Sequence, residues 1–345
     1  MVNLLGAGAL VALAACAPQR TEPGPGAAAA ALASDHFLTE DGLALPMDVW
    51  RPAGKSWAVA LALHGMNDYR RAFAELAGEM SERGVTVYAY DQRGFGAAPG
   101  HGLWPGSEAL IADLNAALRL VRQRHPELPL TLIGESMSGA VVLADLAQAS
   151  IDPPNAAAMT KPDGIVLIAP AVWGGPALGA VPIGAAWLMA NTLPWFLLYA
   201  ELGIQPSDNI TMLRRYSGDS LVIRRTRADA VYGLVELMGQ AQAAAPHLQG
   251  PALIIYGGRD QIIPRRAVCS VIRTLPDAPA GDWRVAFYPE GHHMITRDLA
   301  GRGVAEDLLA WMADHATPLP SATEIANAHA AGAGPALRAA GLCRG

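Results

Sequence analysis

Six short runs rich in Val, Ile, Leu and Ala constrain the fold of this 345-residue chain more than any other feature. They occupy residues 57–63, 85–90, 130–133, 164–169, 251–256 and 283–287. Each is apolar without alternation, the pattern of a strand covered on both faces. Between them lie longer stretches with helical spacing, at 72–83, 107–125, 138–149 and 265–275. Strand–helix alternation of this kind builds an α/β fold, a mostly parallel central sheet with helices on its faces and right-handed crossovers. Two further runs, 37–40 and 45–50 around Asp41-Gly42, predict an antiparallel hairpin at one edge.

Composition agrees with one large core. Hydrophobic residues make up 52% of the chain and charged residues 16%, so there is ample apolar surface to offset chain entropy and a disordered chain is excluded. The net charge of -6 argues against nucleic acid as a partner.

The alternation breaks once. About eighty residues without a strand, rich in Trp, Leu, Met and Ala, separate the fourth run from the fifth. A structureless loop of that length would be unusual. Residues 171–248 are therefore read as a helical cap inserted after the sixth strand, hairpin included, into a core of residues 35–170 and 249–315. Residues 181–204 are nearly uncharged up to Glu201, but Pro182, Asn191 and Pro194 interrupt them. A lid with an apolar inner face fits such a sequence better than a membrane span does. Residues 316–345 form an Ala-rich tail with room for one more helix.

The N-terminus reads as an address. Residues 2–15 are almost wholly apolar, too short to span a bilayer and of the right length for the core of a secretory signal. They end in Leu13-Ala14-Ala15-Cys16, which resembles the lipobox of bacterial lipoproteins, although no Lys or Arg precedes the apolar run. The resemblance implies a signal peptide over 1–15, a lipid on Cys16 and a membrane as partner. With Ala17 following the Cys, it implies an outer-membrane location facing the periplasm. Residues 16–34, rich in Pro, Gly and Ala, read as a tether. Export would permit a disulfide between Cys269 and Cys343; they lie on different predicted elements, and whether they pair stays open.

The chemistry is concentrated after the strands. Gly134-Glu135-Ser136-Met137-Ser138-Gly139 follows the third run directly and precedes a helix. Such a sequence makes a sharp strand-to-helix turn that lifts the hydroxyl of Ser136 above the sheet. The Met137 amide can then donate to a developing oxyanion. A serine needs a base, and in this arrangement the acid and the base follow in that order. Asp260 ends the fifth run, in Gly257-Gly258-Arg259-Asp260. His292 and His293 follow the sixth, in Tyr288-Pro289-Glu290-Gly291-His292-His293-Met294, and spacing alone does not choose between them. After the first run comes His64-Gly65-Met66-Asn67-Asp68-Tyr69. There Gly65 permits an unusual backbone angle, the Met66 amide is the second candidate donor, and His64 is read as structural. The loop Asp91-Gln92-Arg93-Gly94-Phe95-Gly96 is read as support for the site.

Together these stretches resemble the α/β-hydrolases of the monoacylglycerol lipase and lysophospholipase group, the family also labelled Hydrolase_4 or serine aminopeptidase S33, over residues 35–315. That family's last motif is usually Gly, any residue, then His, which selects His293 as base. Its oxyanion donors follow the His-Gly pair and the Ser, which supports Met66 and Met137. It has Gly where this chain has Ser138. The resemblance implies a serine ester hydrolase with Ser136, His293 and Asp260 as its triad, no cofactor or metal, and monoacylglycerols or lysophospholipids as substrates. An aminopeptidase or amidase using the same triad is the alternative, and a lipid-binding lipoprotein without turnover the second.

Overall fold

The computed structural model describes residues 17–151, 160–199, 203–276, 283–321, 323–325 and 341–343, with the backbone alone for 147–151. The expected signal sequence and Cys16 lie outside these residues, as does most of the stretch where a tail helix was expected. A nine-stranded sheet organises the chain. Its strands are β1 (Ala31–Leu32), β2 (His36–Leu38), β3 (Ala44–Trp50), β4 (Ala58–Leu63), β5 (Val85–Tyr90), β6 (Leu130–Glu135), β7 (Gly164–Ile168), β10 (Ala252–Gly257) and β11 (Trp283–Tyr288). A two-stranded ribbon of β8 (Leu197–Tyr199) and β9 (Arg225–Arg227) stands apart from them. The strand order is β1-β2-β3-β5-β4-β6-β7-β10-β11. From β5 to β11 every pairing is parallel, while β1, β2 and β3 form the antiparallel edge.

Successive residues of a strand point to opposite faces, which explains the unalternating apolar runs. In β4, Val59, Leu61 and Leu63 enter one core layer, while Ala58, Ala60 and Ala62 enter the other. The first layer packs on α2 (Ser107–Arg124), α3 (Met137–Ile151) and α8 (Arg265–Ile272), through side chains such as Leu114, Val141 and Val268. The second packs on α1 (Ala74–Glu82) and α9 (Gly301–Ala313), through Met80, Leu308 and Trp311. With small residues on one face and large ones on the other, both helix layers fit closely.

The cap follows β7. It carries α4 (Gly175–Leu178), α5 (Ala180–Thr192), α6 (Ile210–Gly218), α7 (Ala228–Ala244) and the β8–β9 ribbon, so it is not wholly helical. The cap's inner face is apolar, but residues 181–196 do not supply it. On α5 and the turn after it, Val181, Trp187, Leu188, Leu193, Trp195 and Phe196 are exposed. The cavity beneath is lined instead by α6, α7 and the segment between them, with Leu213, Val231, Leu234 and Met238. Apolarity around the whole circumference of α5 carries no facing information. No helix among the described residues is long and apolar enough to cross a membrane.

Both ends of the described chain lie on the core. The segment read as a tether is docked: Gly26 and Ala28 donate to the Asp41 and Glu40 carbonyls, and Thr21 to that of Trp104. The tail runs antiparallel beside β11, pairing Glu324 with Ala286. Cys343 forms a disulfide with Cys269 of α8, their Cα atoms 5.7 Å apart.

Candidate active site

The elbow forms where β6 meets α3. Ser136 sits at φ 52, a left-handed conformation that a residue without glycine's freedom adopts only when its surroundings enforce it. They do so here. The Ser136 amide donates to the Ile168 carbonyl at 2.8 Å, and its own carbonyl accepts from Ala171 at 2.9 Å. A Cβ on Gly134 would lie 2.8 Å from the Ser138 carbonyl oxygen, and one on Gly139 would lie 2.8 Å from Pro170 Cβ. Both glycines are required by close approach.

Ser136, His293 and Asp260 come together as a relay. The Ser136 hydroxyl lies 2.9 Å from His293 Nε2, and His293 Nδ1 lies 2.8 Å from Asp260 Oδ2. Asp260 has its other oxygen held by the Ile262 and Ile263 amides at 2.8 and 2.9 Å. This orientation places the proton of neutral His293 on Nδ1, leaving Nε2 free to accept from Ser136. Burial disfavours a charged ring, but the Asp260 carboxylate, its hydrogen bond and the charge of Glu135 outweigh that and raise the His293 pKa above the ordinary histidine value. His292 does not enter the relay. Its amide donates to Asp298 at 2.8 Å, and its ring lies 3.3 Å from the same carboxylate.

The loop after β4 supplies the other wall. Gly65 is needed there for proximity: a Cβ would lie 3.1 Å from Ser136 Cβ. The unusual backbone angle expected at Gly65 belongs to Asn67, at φ 66. Asparagine tolerates that region better than most side chains. The Met66 amide, between the two, has no acceptor among the described residues. Met137 opens α3, where the first amides lack intrahelical partners. His64 is structural, as expected. It is fully buried, donates from Nδ1 to the Gly65 carbonyl at 2.8 Å and accepts from the Gln92 amide at 3.1 Å. Burial lowers its pKa and keeps it neutral. Ser138 does not crowd the elbow. Its hydroxyl donates to the His64 carbonyl at 2.6 Å and accepts from Gln92 Nε2 at 2.9 Å. The Asp91 loop thereby braces the elbow and the loop after β4 together.

Sequence reasoning missed a buried charge cluster. Arg297 donates to Asp68 at 2.7 Å and to Glu135 at 3.1 Å. It joins the loop after β4, the elbow and the turn after His293. Charged residues inside otherwise apolar or glycine-rich motif flanks were the available signal. A chain does not bury three such groups unless they pair.

Ser136, His293, residues 65–68 and the Glu135–Arg297 pair line one cavity of about 690 Å³ under the cap. The lining is chiefly apolar, with Trp173, Leu213, Val231, Leu234, Met238 and Ile263 among its side chains. Asp68, Glu135, Arg297 and cap residues Arg214 and Arg224 supply charge.

A serine on a strand-to-helix elbow, followed along the chain by a carboxylate and then by a histidine that bridges the two, each in a loop after a later strand, is the arrangement of one fold family. Residues 54–300 match the family model described as Serine aminopeptidase, S33 (Hydrolase_4). The chain belongs to that family. Its relatives include a monoacylglycerol lipase of Mycolicibacterium smegmatis, 26% identical over 82% of this chain and 98% of that protein. A monoglyceride lipase of Rattus norvegicus is 23% identical over 80% of this chain and 89% of that one. Among solved structures, a soluble variant of monoglyceride lipase from Saccharomyces cerevisiae superposes with a TM-score of 0.67, at 19% identity, over 86% of this chain and all of its own. The fold is that of the α/β-hydrolases, and the protein is a hydrolase.

Proposed function

We propose that this protein is a serine ester hydrolase that cleaves single-chain lipid esters, monoacylglycerols or lysophospholipids, through an acyl-enzyme. The observation that carries the reading is the Ser136–His293–Asp260 relay in the wall of an apolar cavity. Ser136 attacks the ester carbonyl while His293 Nε2 takes its proton. The tetrahedral oxyanion is held by the Met66 and Met137 amides. The protonated His293 returns the proton to the leaving alcohol, which departs and leaves the acyl group on Ser136. Water then repeats the sequence and frees the acid. Asp260 keeps the imidazole in the right tautomer and stabilises its charged form. Apolar walls favour an acyl chain by about 0.8 kcal/mol per buried CH₂.

The aminopeptidase alternative needs an acid free to bind an ammonium group. Among the described residues of the cap, Asp208 holds the Leu299 amide, Asp219 the Tyr69 hydroxyl and Asp229 Arg227. Glu236 is exposed and Glu201 lies outside the described residues. The acids in the cavity wall, Asp68 and Glu135, both serve Arg297. This pattern favours the lipid ester.

The test is hydrolysis of a matched panel (monoacylglycerols, lysophospholipids, short p-nitrophenyl esters and aminoacyl-anilides) with Ser136→Ala alongside. Long-chain glycerides or lysolipids should turn over, and the variant should lose on the order of 10⁴–10⁶ in rate. Cleavage of anilides alone would refute the lipid reading. We further propose that Cys16 carries a lipid that anchors the enzyme in the outer membrane, facing the periplasm. The Cys269–Cys343 disulfide supports export, because such bonds persist in oxidising compartments. Cys16→Ser should release the protein from sedimenting membranes; a variant that still sediments would count against the anchor.

A further inference from the structure

The oxyanion loop is held from two sides, and one of them is the cap. On the core side, Gly65 abuts Ser136 and Asp68 pairs with Arg297. On the other side, three hydrogen bonds run from residues 67–69 to a single cap segment, 219–226. The Ile223 amide donates to the Asn67 carbonyl at 3.0 Å. Asn67 Nδ2 donates to Thr226 Oγ1 at 2.7 Å. The Tyr69 hydroxyl donates to Asp219 Oδ2 at 2.6 Å. Asn67 is also the loop residue in the left-handed region, a conformation that persists only when it is over-determined. Its partners are thus drawn from the cap rather than from the sheet that carries the nucleophile.

We propose that Asn67 is a positioning residue for the oxyanion hole. Through its bond to Thr226 and the Ile223–Asn67 bond, the cap segment fixes the Met66 amide, so that the hole is complete only with the cap docked. The proposal rests on the reading of Met66 as an oxyanion donor. The Met66 peptide is clamped between a glycine pressed against the nucleophile and an asparagine pinned by the cap. Freeing the asparagine lets the 66–67 peptide turn without disturbing the Ser136–His293–Asp260 relay. A cap ribbon that shifts to admit substrate would loosen the hole and re-form it on return, coupling closure to chemistry.

The test reads the second-order rate at which a small fluorophosphonate labels Ser136, since its phosphoryl oxygen needs the same hole and the natural substrate need not be known. Asn67→Gly keeps the backbone conformation accessible and removes the side-chain bond. Thr226→Val removes the same bond from the cap side, and Thr226→Ser retains it. Losing an oxyanion donor outright costs 10²–10³ in rate; displacing one should slow labelling about tenfold in Asn67→Gly and in Thr226→Val. Thr226→Ser should label at the wild-type rate. The double variant should be no slower than the slower single one, because both act through one bond. The pH dependence of labelling should not move, since the base is untouched. Labelling within twofold of wild type in both single variants would overturn the proposal. So would a Thr226→Ser variant as slow as Thr226→Val, or additive losses in the double variant. Failure of the lipid-ester reading shows separately, as wild-type protein that labels normally but hydrolyses no lipid in the panel.

Discussion

At the scale of single residues, the site depends on which polar groups are spent and which are left to act. Ser138 and His64 are spent on each other and on Gln92, which is why a hydroxyl in the elbow does no harm. His292 is spent on Asp298. His293 alone keeps a ring nitrogen facing Ser136. In the proposed mechanism its pKa sets the working pH. Activity needs the neutral ring, so kcat/KM should fall as pH drops through the raised His293 pKa, above the ordinary 6.5. Glu135 is one of the charges holding it up. Glu135→Gln preserves the shape and, with Asp68 still on Arg297, removes one negative charge. Its acidic limb should lie at lower pH than that of the wild type in a pH–rate profile. A limb unmoved or displaced upward would show that the Glu135 charge does not reach the base.

At the scale of elements, the strands and the flanking helices of the core were legible because each obeys its own period. The runs read at 85–90 and 283–287 became β5 and β11 within a residue at each end, since double-sided burial writes itself as an unbroken apolar string. The meeting of Ser136, Asp260 and His293 was legible because each lies in the loop that follows a strand. The oxyanion angle was not: glycine at 65 advertises freedom, yet the structure uses its small size there and puts the left-handed turn on Asn67. Nor was the cap's facing legible, because α5 is apolar on all sides and only three-dimensional contacts decide which side is covered. One such contact is written in glycine. A Cβ on Gly233 of α7 would lie 2.3 Å from Trp104 Nε1. Trp104 is buried in the core, so the helix could relieve the clash only by lifting. Gly233→Ala should cost about 1–3 kcal/mol and widen the cavity that Leu234 and Met238 line. Thermal unfolding together with acyl-chain selectivity would check this; unchanged melting and selectivity would mean that the indole moves aside freely.

At the scale of the whole molecule, the chain ends close the structure. The N-terminal segment runs from the β1–β2 edge to the cap, where the Gln19 amide reaches Asp229. The tail leaves α9, runs beside β11 and is fastened to α8 by the Cys269–Cys343 bond. The partners are 74 residues apart in sequence, and the loop they close contains β11, the loop carrying His293 and α9. Cross-linking a loop of that length removes denatured-state entropy worth about 4 kcal/mol in the chain-entropy account, a large part of the 5–15 kcal/mol typical of a folded domain. The bond also spans the outer edge of the sheet, since α8 follows β10 and the tail covers β11. Without it, β11 is held by β10 on one side and by the Phe287–Thr323 and Val285–Ile325 pairings on the other. His293 hangs from the loop after that strand. Cys343→Ser should therefore lower stability by about 2–4 kcal/mol, read from denaturant midpoints, and the wild type should shift by the same amount on reduction. At low denaturant the variant should still hydrolyse ester, because the relay is built from β6, β10 and β11 rather than from the tail. Midpoints that coincide with and without reductant would show that the tail's own pairing suffices to hold the edge.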